Sequence, residues 1–114
     1  MLISRRQGIA DRACAAMKDA RAINLEQVLN LSPAAAWMLA KMEEDREGVD
    51  ASDFPYDTMA QNLPFFRQSD LVARLTQQIH TAIGPDSTHT DNGLIRLTPL
   101  GRLRIKSSLG EPLL

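Results

Sequence analysis

The chain of 114 residues has little of what secreted, membrane or aromatic-rich domains contain. Its one cysteine, Cys14, cannot form an internal disulfide, so we expect a reducing compartment. Aromatic residues make up 4% of the chain, which argues against a β-sandwich core. No apolar run approaches the roughly 20 residues that span a bilayer, and no secretory signal pattern opens the chain. These absences predict a cytoplasmic protein without membrane contact.

Residues that carry catalysis are also scarce. His80 and His89 are nine residues apart and lack a second ligand pair at metal spacing. No glycine-rich loop could hold a phosphate. The acids around Glu43 and Glu44 end a predicted helix, where a solvated face is the simpler interpretation. We therefore expect no enzyme activity, no cofactor and no metal.

The formal net charge of -1 gives no overall attraction to nucleic acid, but the charges are unevenly distributed. Residues 1–21 carry five basic groups and two acids, and residues 22–65 carry two basic groups and eight acids. Residues 66–114 carry six basic groups and four acids, with no acid between residues 92 and 110. An acidic middle thus separates two basic ends.

Capping signals and apolar spacing predict a mainly helical chain. Ser32 followed by Pro33 is a strong start signal for a helix that runs to about Asp45. On that helix Trp37 lies outside the apolar face that contains Met38. Its side chain therefore either belongs to an exposed partner surface or is covered by another segment. The other predicted helices cover residues 4–22, 24–31, 56–63 and 69–83.

The segment NGLIRLTPLGRLRIK, residues 92–106, has two apolar-polar alternations on either side of Thr-Pro-Leu-Gly. Period-two alternation favours a β-hairpin that turns at Pro99 and Gly101. A second interpretation makes Thr98 the N-cap and Pro99 the first residue of a terminal helix.

The phrase GLIRLTPLGR resembles the wing of winged helix-turn-helix domains, in which strand, Thr-Pro-x-Gly-Arg and strand recur. A similar phrase occurs in the C-terminal winged-helix domain of the Holliday-junction branch-migration ATPase and in several bacterial regulators. The resemblance implies a supporting helix at residues 56–63, a recognition helix at 69–83 and a wing at 94–106. The expected fold is a single domain, mainly α with a C-terminal β-hairpin, comprising a winged part at residues 54–107 and an N-terminal helical extension at residues 1–47.

The same resemblance implies a small sequence-specific DNA-binding protein, of the bacterial or phage regulator type. Arg74, Gln77 and Thr81 would read bases in the major groove. The cations expected at phosphates or the minor groove are Arg67, Arg96, Arg102, Arg104 and Lys106.

Three further interpretations accompany this one. The Ala-rich first helix and Trp37 suggest a homodimer. A rival function is a protein-binding adaptor that keeps the winged scaffold and contacts an acidic partner instead of DNA. Residues 24–45 also look like a helix-turn-helix, but their reader would end in three acids that phosphates repel.

Overall fold

A computed structural model describes residues 19–50 and 68–113 of the protein. The predictions for residues 4–18, for the supporting helix at 56–63 and for Arg67 lie outside these ranges. The described part is mainly helical with a small antiparallel sheet, as the sequence predicts. In chain order the elements are α1 (Ala20–Leu29), α2 (Pro33–Glu44), β1 (Val49–Asp50), α3 (Gln68–Ile83), a 3₁₀ turn (Pro85–Ser87), β2 (Thr88–Asp91), β3 (Leu94–Leu97) and α4 (Pro99–Leu109).

Helix α1 begins earlier than its sequence pattern indicates. Asp19 is the N-cap, its side chain accepting the backbone N–H of Arg21 at 2.8 Å, and the helix runs unbroken through Asn24. The predicted interruption between residues 22 and 24 is therefore wrong, because Asp19 already satisfies the start of the helix. Asn30 ends it in the left-handed conformation, with φ of 54°.

Helix α2 confirms the Ser32-Pro33 start signal. The Ser32 hydroxyl accepts the backbone N–H of Ala35 at 3.2 Å, and Pro33 occupies the first turn. Residues 35–40 are all buried, Trp37 included at 5% exposure. Of the two interpretations of Trp37, the structure supports the one in which another segment covers it, and its assignment as an exposed partner surface is wrong, because α2 packs on several sides at once.

The hairpin lies earlier in the chain than predicted. Strands β2 and β3 pair antiparallel around the turn Asn92-Gly93, both of whose residues have positive φ. That turn suits the right-handed twist of the two strands. Strand β3 also pairs with β1, which gives a three-stranded sheet in the order β1-β3-β2.

Residues 99–109 form helix α4, so the prediction of a second wing strand there is wrong, and the terminal-helix interpretation is right. The Thr98 hydroxyl accepts the N–H of Gly101 at 3.1 Å and donates to the Asp86 carbonyl at 2.8 Å. Gly101 lies against the Ser87 backbone so closely that an added Cβ would overlap its carbonyl oxygen. The Thr-Pro-Leu-Gly phrase is thus a helix cap that docks α4 on the 3₁₀ turn.

One hydrophobic core joins the early helices, the sheet and the later helices. Helix α3 contributes its predicted apolar face, with Leu71, Leu75, Ile79 and Ile83 buried and Val72 partly buried. Among the residues that the structure describes, no helix combines the length and apolarity needed to cross a membrane.

Candidate nucleic-acid interface

The solvent face of α3 carries the three side chains predicted to read bases. Arg74, Gln77 and Thr81 are all exposed, and their spacing of three and four residues places them along one stripe of the helix. The Thr81 hydroxyl donates to the Gln77 carbonyl at 3.0 Å, which fixes its rotamer on the helix surface. The stripe lies opposite the buried apolar face, so the core anchors the helix that presents it.

The β2–β3 hairpin flanks this stripe on one side. The His80 Nε2 and the Thr88 Oγ1 are hydrogen-bonded at 2.5 Å, which ties the last turn of α3 to the first residue of β2. Further along the hairpin, His89 and Arg96 are directly paired across the strands, and both are exposed. Of the cations predicted for the wing, Arg96 is therefore the one that a strand carries.

The turn between α1 and α2 flanks the stripe on its other side. The backbone N–H of Ser32 donates to the Gln78 Oε1 at 3.2 Å, which holds this turn against α3. Between them lies a cleft of about 310 Å³, with Asn30 in one wall and Gln77 and Thr81 in the other. The sequence analysis missed this wall of the candidate interface, although a left-handed Asn after a helix is a recognisable signal.

Arg102 lies on α4, and its side chain bonds to the C-terminal end of α2 instead of projecting from a wing. Its Nη1 donates to the Glu43 carbonyl at 3.1 Å and its Nη2 to the Met42 carbonyl at 3.2 Å. These carbonyls belong to the last turn of α2, where no further helical N–H is available to them. A cation is also favoured there by the helix dipole. Arg102 therefore caps α2.

Arg104 performs the same task for α3. Its Nη1 donates to the Ile83 carbonyl at 2.7 Å and forms an ion pair with the Asp86 carboxylate at 2.5 Å. The hydrogen bond from Arg104 lowers the pKa of the Asp86 carboxyl below its usual range. Lys106, also predicted for the wing, lies in the last turn of α4. The predicted basic rim of residues 96–106 is thus divided between a strand and a helix.

Arg21 joins three parts of the chain that the sequence did not connect. Its guanidinium donates two hydrogen bonds to Glu43 and two to Glu111, at 2.8–2.9 Å. The hydrogen bonds to Glu43 and then Glu111 raise the pKa of Arg21, and the bond from Arg21 lowers the pKa of Glu111. This ion-pair cluster ties α1 and α2 to the segment after α4.

No group of three or more metal-binding side chains occurs in residues 19–50 and 68–113. A second, open cavity of about 720 Å³ lies between the end of α3 and α4, and Arg104, the one cation among its described lining residues, is already bonded to Ile83 and Asp86. No known family model matches the chain, and comparison with curated proteins and with solved structures found no match. The evidence for a nucleic-acid interface is therefore the geometry of the described residues alone.

Proposed function

We propose that the protein is a small sequence-specific DNA-binding protein of the winged helix-turn-helix type. The observation that carries the proposal is the polar stripe on α3, placed directly before a β-hairpin and anchored to it by the His80–Thr88 hydrogen bond. The element order α2, β1, α3, β2, β3 and the strand order β1-β3-β2 support it, since a winged helix joins its wing to an early short strand. The supporting helix is expected at residues 56–63, outside the described ranges.

In this proposal α3 enters the major groove, and its stripe meets the edges of the bases. Arg74 is the residue type that bonds both acceptors of guanine, and Gln77 is the type that bonds the donor and acceptor of adenine. Thr81 offers a hydroxyl to a base or a methyl group to thymine. The three side chains of this stripe would contact about two to three base pairs per copy.

Phosphate contacts fall to fewer cations than the sequence predicted. Arg102 and Arg104 are bonded to helix ends, and Arg96 is the strand-borne cation of the hairpin. Each phosphate contact contributes about −0.9 to the slope of log affinity against log salt, so the contact from Arg96, among the described residues, gives a slope of about −1. We therefore expect weak, modestly salt-dependent binding by one copy.

A homodimer extends this proposal, because two copies read two half-sites and so compensate for a small interface. Buried Trp37 no longer supports it. The remaining support in the described residues is two exposed apolar side chains of α1, Ile23 at 37% and Val28 at 45%. Sedimentation equilibrium tests it: a monomer mass at micromolar concentration excludes the dimer.

The second candidate is a protein-binding adaptor that uses the same scaffold. It is favoured by the internal bonds of Arg102 and Arg104, which leave fewer cations for contacts with a phosphate backbone. In that case Arg96 and its neighbours would contact an acidic protein surface, and duplex DNA would not bind.

Fluorescence anisotropy on a labelled duplex of mixed sequence separates the two candidates. Binding at about 50 mM salt that weakens at about 200 mM supports the DNA proposal. The Arg96→Met variant should lower the magnitude of the salt slope by about 1, and the Arg74→Met variant should relax sequence preference. Absence of binding at low salt by the folded, unmodified protein refutes the DNA proposal and leaves the adaptor.

A further inference from the structure

We infer that the turn between α1 and α2 is a third DNA-contacting element, with Asn30 as its contacting residue; this rests on the proposed function. The turn and the hairpin lie on opposite flanks of α3. His80 binds the hairpin through Thr88, and Gln78 binds the turn through the Ser32 N–H. A duplex seated on the stripe between them meets both flanks.

The cleft between the turn and α3 has the chemistry that this contact requires. Its described walls are Leu29, Asn30 and Leu31 on one side and Gln77, Gln78, Thr81 and Ala82 on the other, and none of these described residues is charged. Two of the base-reading side chains, Gln77 and Thr81, thus line the same cleft as Asn30. A carboxamide there donates to a phosphate oxygen or to a base edge without the desolvation cost of an ion.

The backbone at Asn30 lets its side chain be changed without changing the turn. Its φ of 54° is a conformation that Asn, Asp and Gly adopt more readily than other residues. The Asn30→Gly variant therefore removes the side chain, and the Asn30→Asp variant replaces the amide with a negative charge. Asn24, exposed on the same helix, supplies a matched control. It lies six residues earlier, about 9 Å along the axis and about 120° around it.

The experiment compares duplex affinity of the unmodified protein with that of Asn30→Asp, Asn30→Gly and Asn24→Asp at about 50 mM salt. We expect Asn30→Asp to weaken binding about 3- to 10-fold, because phosphates within a Debye length repel the new carboxylate, and the loss should shrink at higher salt. Asn30→Gly should lose less, and Asn24→Asp least. Circular dichroism confirms that each variant is folded.

Two different results overturn the inference. If the unmodified protein binds DNA but Asn30→Asp binds as well as Asn24→Asp, the turn does not face the duplex, and the DNA proposal itself stands. If the unmodified protein binds no duplex at all, the proposed function and this inference fall together.

Discussion

Arg96 and Arg102 are only six residues apart, yet the structure gives them separate tasks. Arg96 is exposed on strand β3, and Arg102 bonds the carbonyls of Met42 and Glu43 from α4. Replacing each with Met removes the charge and keeps a long, flexible side chain. We predict that Arg102→Met lowers the free energy of unfolding and leaves the salt dependence of DNA binding unchanged. We predict that Arg96→Met leaves the free energy of unfolding nearly unchanged and reduces that salt dependence.

The size of the stability loss follows from what Arg102 leaves behind. Two carbonyls of the last turn of α2 lose charged donors that are partly shielded from water. An unsatisfied, partly buried acceptor costs about 1–3 kcal/mol, and the lost attraction of a cation to the helix end adds about 0.3–1 kcal/mol. Water replaces part of these bonds, so about 2 kcal/mol is expected. A domain of this size loses about 4 °C of melting temperature for each kcal/mol.

Thermal unfolding and DNA anisotropy on the same two variants measure both effects. Arg96→Met should change stability by less than about 0.5 kcal/mol, as surface substitutions usually do. The magnitude of its salt slope should fall by about 1. If instead Arg102→Met melts with the unmodified protein and loses the salt-dependent affinity, Arg102 contacts DNA and the assignment of its guanidinium to α2 is wrong.

Three other predictions concern the docking of α4, the ion-pair cluster and the core. Gly101→Ala should lower the melting temperature by several degrees, since its Cβ meets the Ser87 carbonyl and overpacking costs about 1–3 kcal/mol; an unchanged melting curve would show that α4 is not seated there. The stability difference between the unmodified protein and Glu111→Gln should be constant near neutral pH. This stability difference, measured by urea titration, should vanish as the pH falls below the ordinary glutamate pKa of 4.5 and through the lowered pKa of Glu111, because Arg21 binds the ionised carboxylate. A difference that grows toward acid pH would contradict this pairing. The fluorescence of Trp37, the single tryptophan, should be blue-shifted and should resist quenching by acrylamide until the protein unfolds. Quenching as strong as that of free indole would place Trp37 on the surface.

Local signals in the sequence were sufficient for elements that a few neighbouring residues determine. The Ser32-Pro33 start and the apolar spacing of α3 both predict what the structure contains, because a cap and a period of 3.6 residues are properties of one segment. The exposure of Arg74, Gln77 and Thr81 follows from the same periodicity. These features needed no knowledge of any other part of the chain.

The errors occurred where a distant segment determines the outcome. The alternation around Arg102 and Arg104 fits a strand, but the two guanidinium groups bond helix ends that lie 59 and 21 residues away in the sequence. Trp37 lies opposite the first apolar face of α2 and is buried because other elements cover that side too. The position of the hairpin turn is a different case, because a local signal does predict it. Asn92-Gly93 is the typical sequence of a two-residue hairpin turn, whereas the prediction placed the turn at Pro99 and Gly101.

Selection of bound sequences from a random duplex library, by the unmodified protein and by Arg74→Ala in parallel, decides whether α3 reads DNA. We expect the unmodified protein to enrich a short motif containing guanine. The Arg74→Ala variant should enrich the same motif with that one position relaxed, since only one base contact is removed. An absence of enrichment by the unmodified, folded protein, or an identical motif from the Arg74→Ala variant, would contradict the claim that the exposed face of α3 reads DNA.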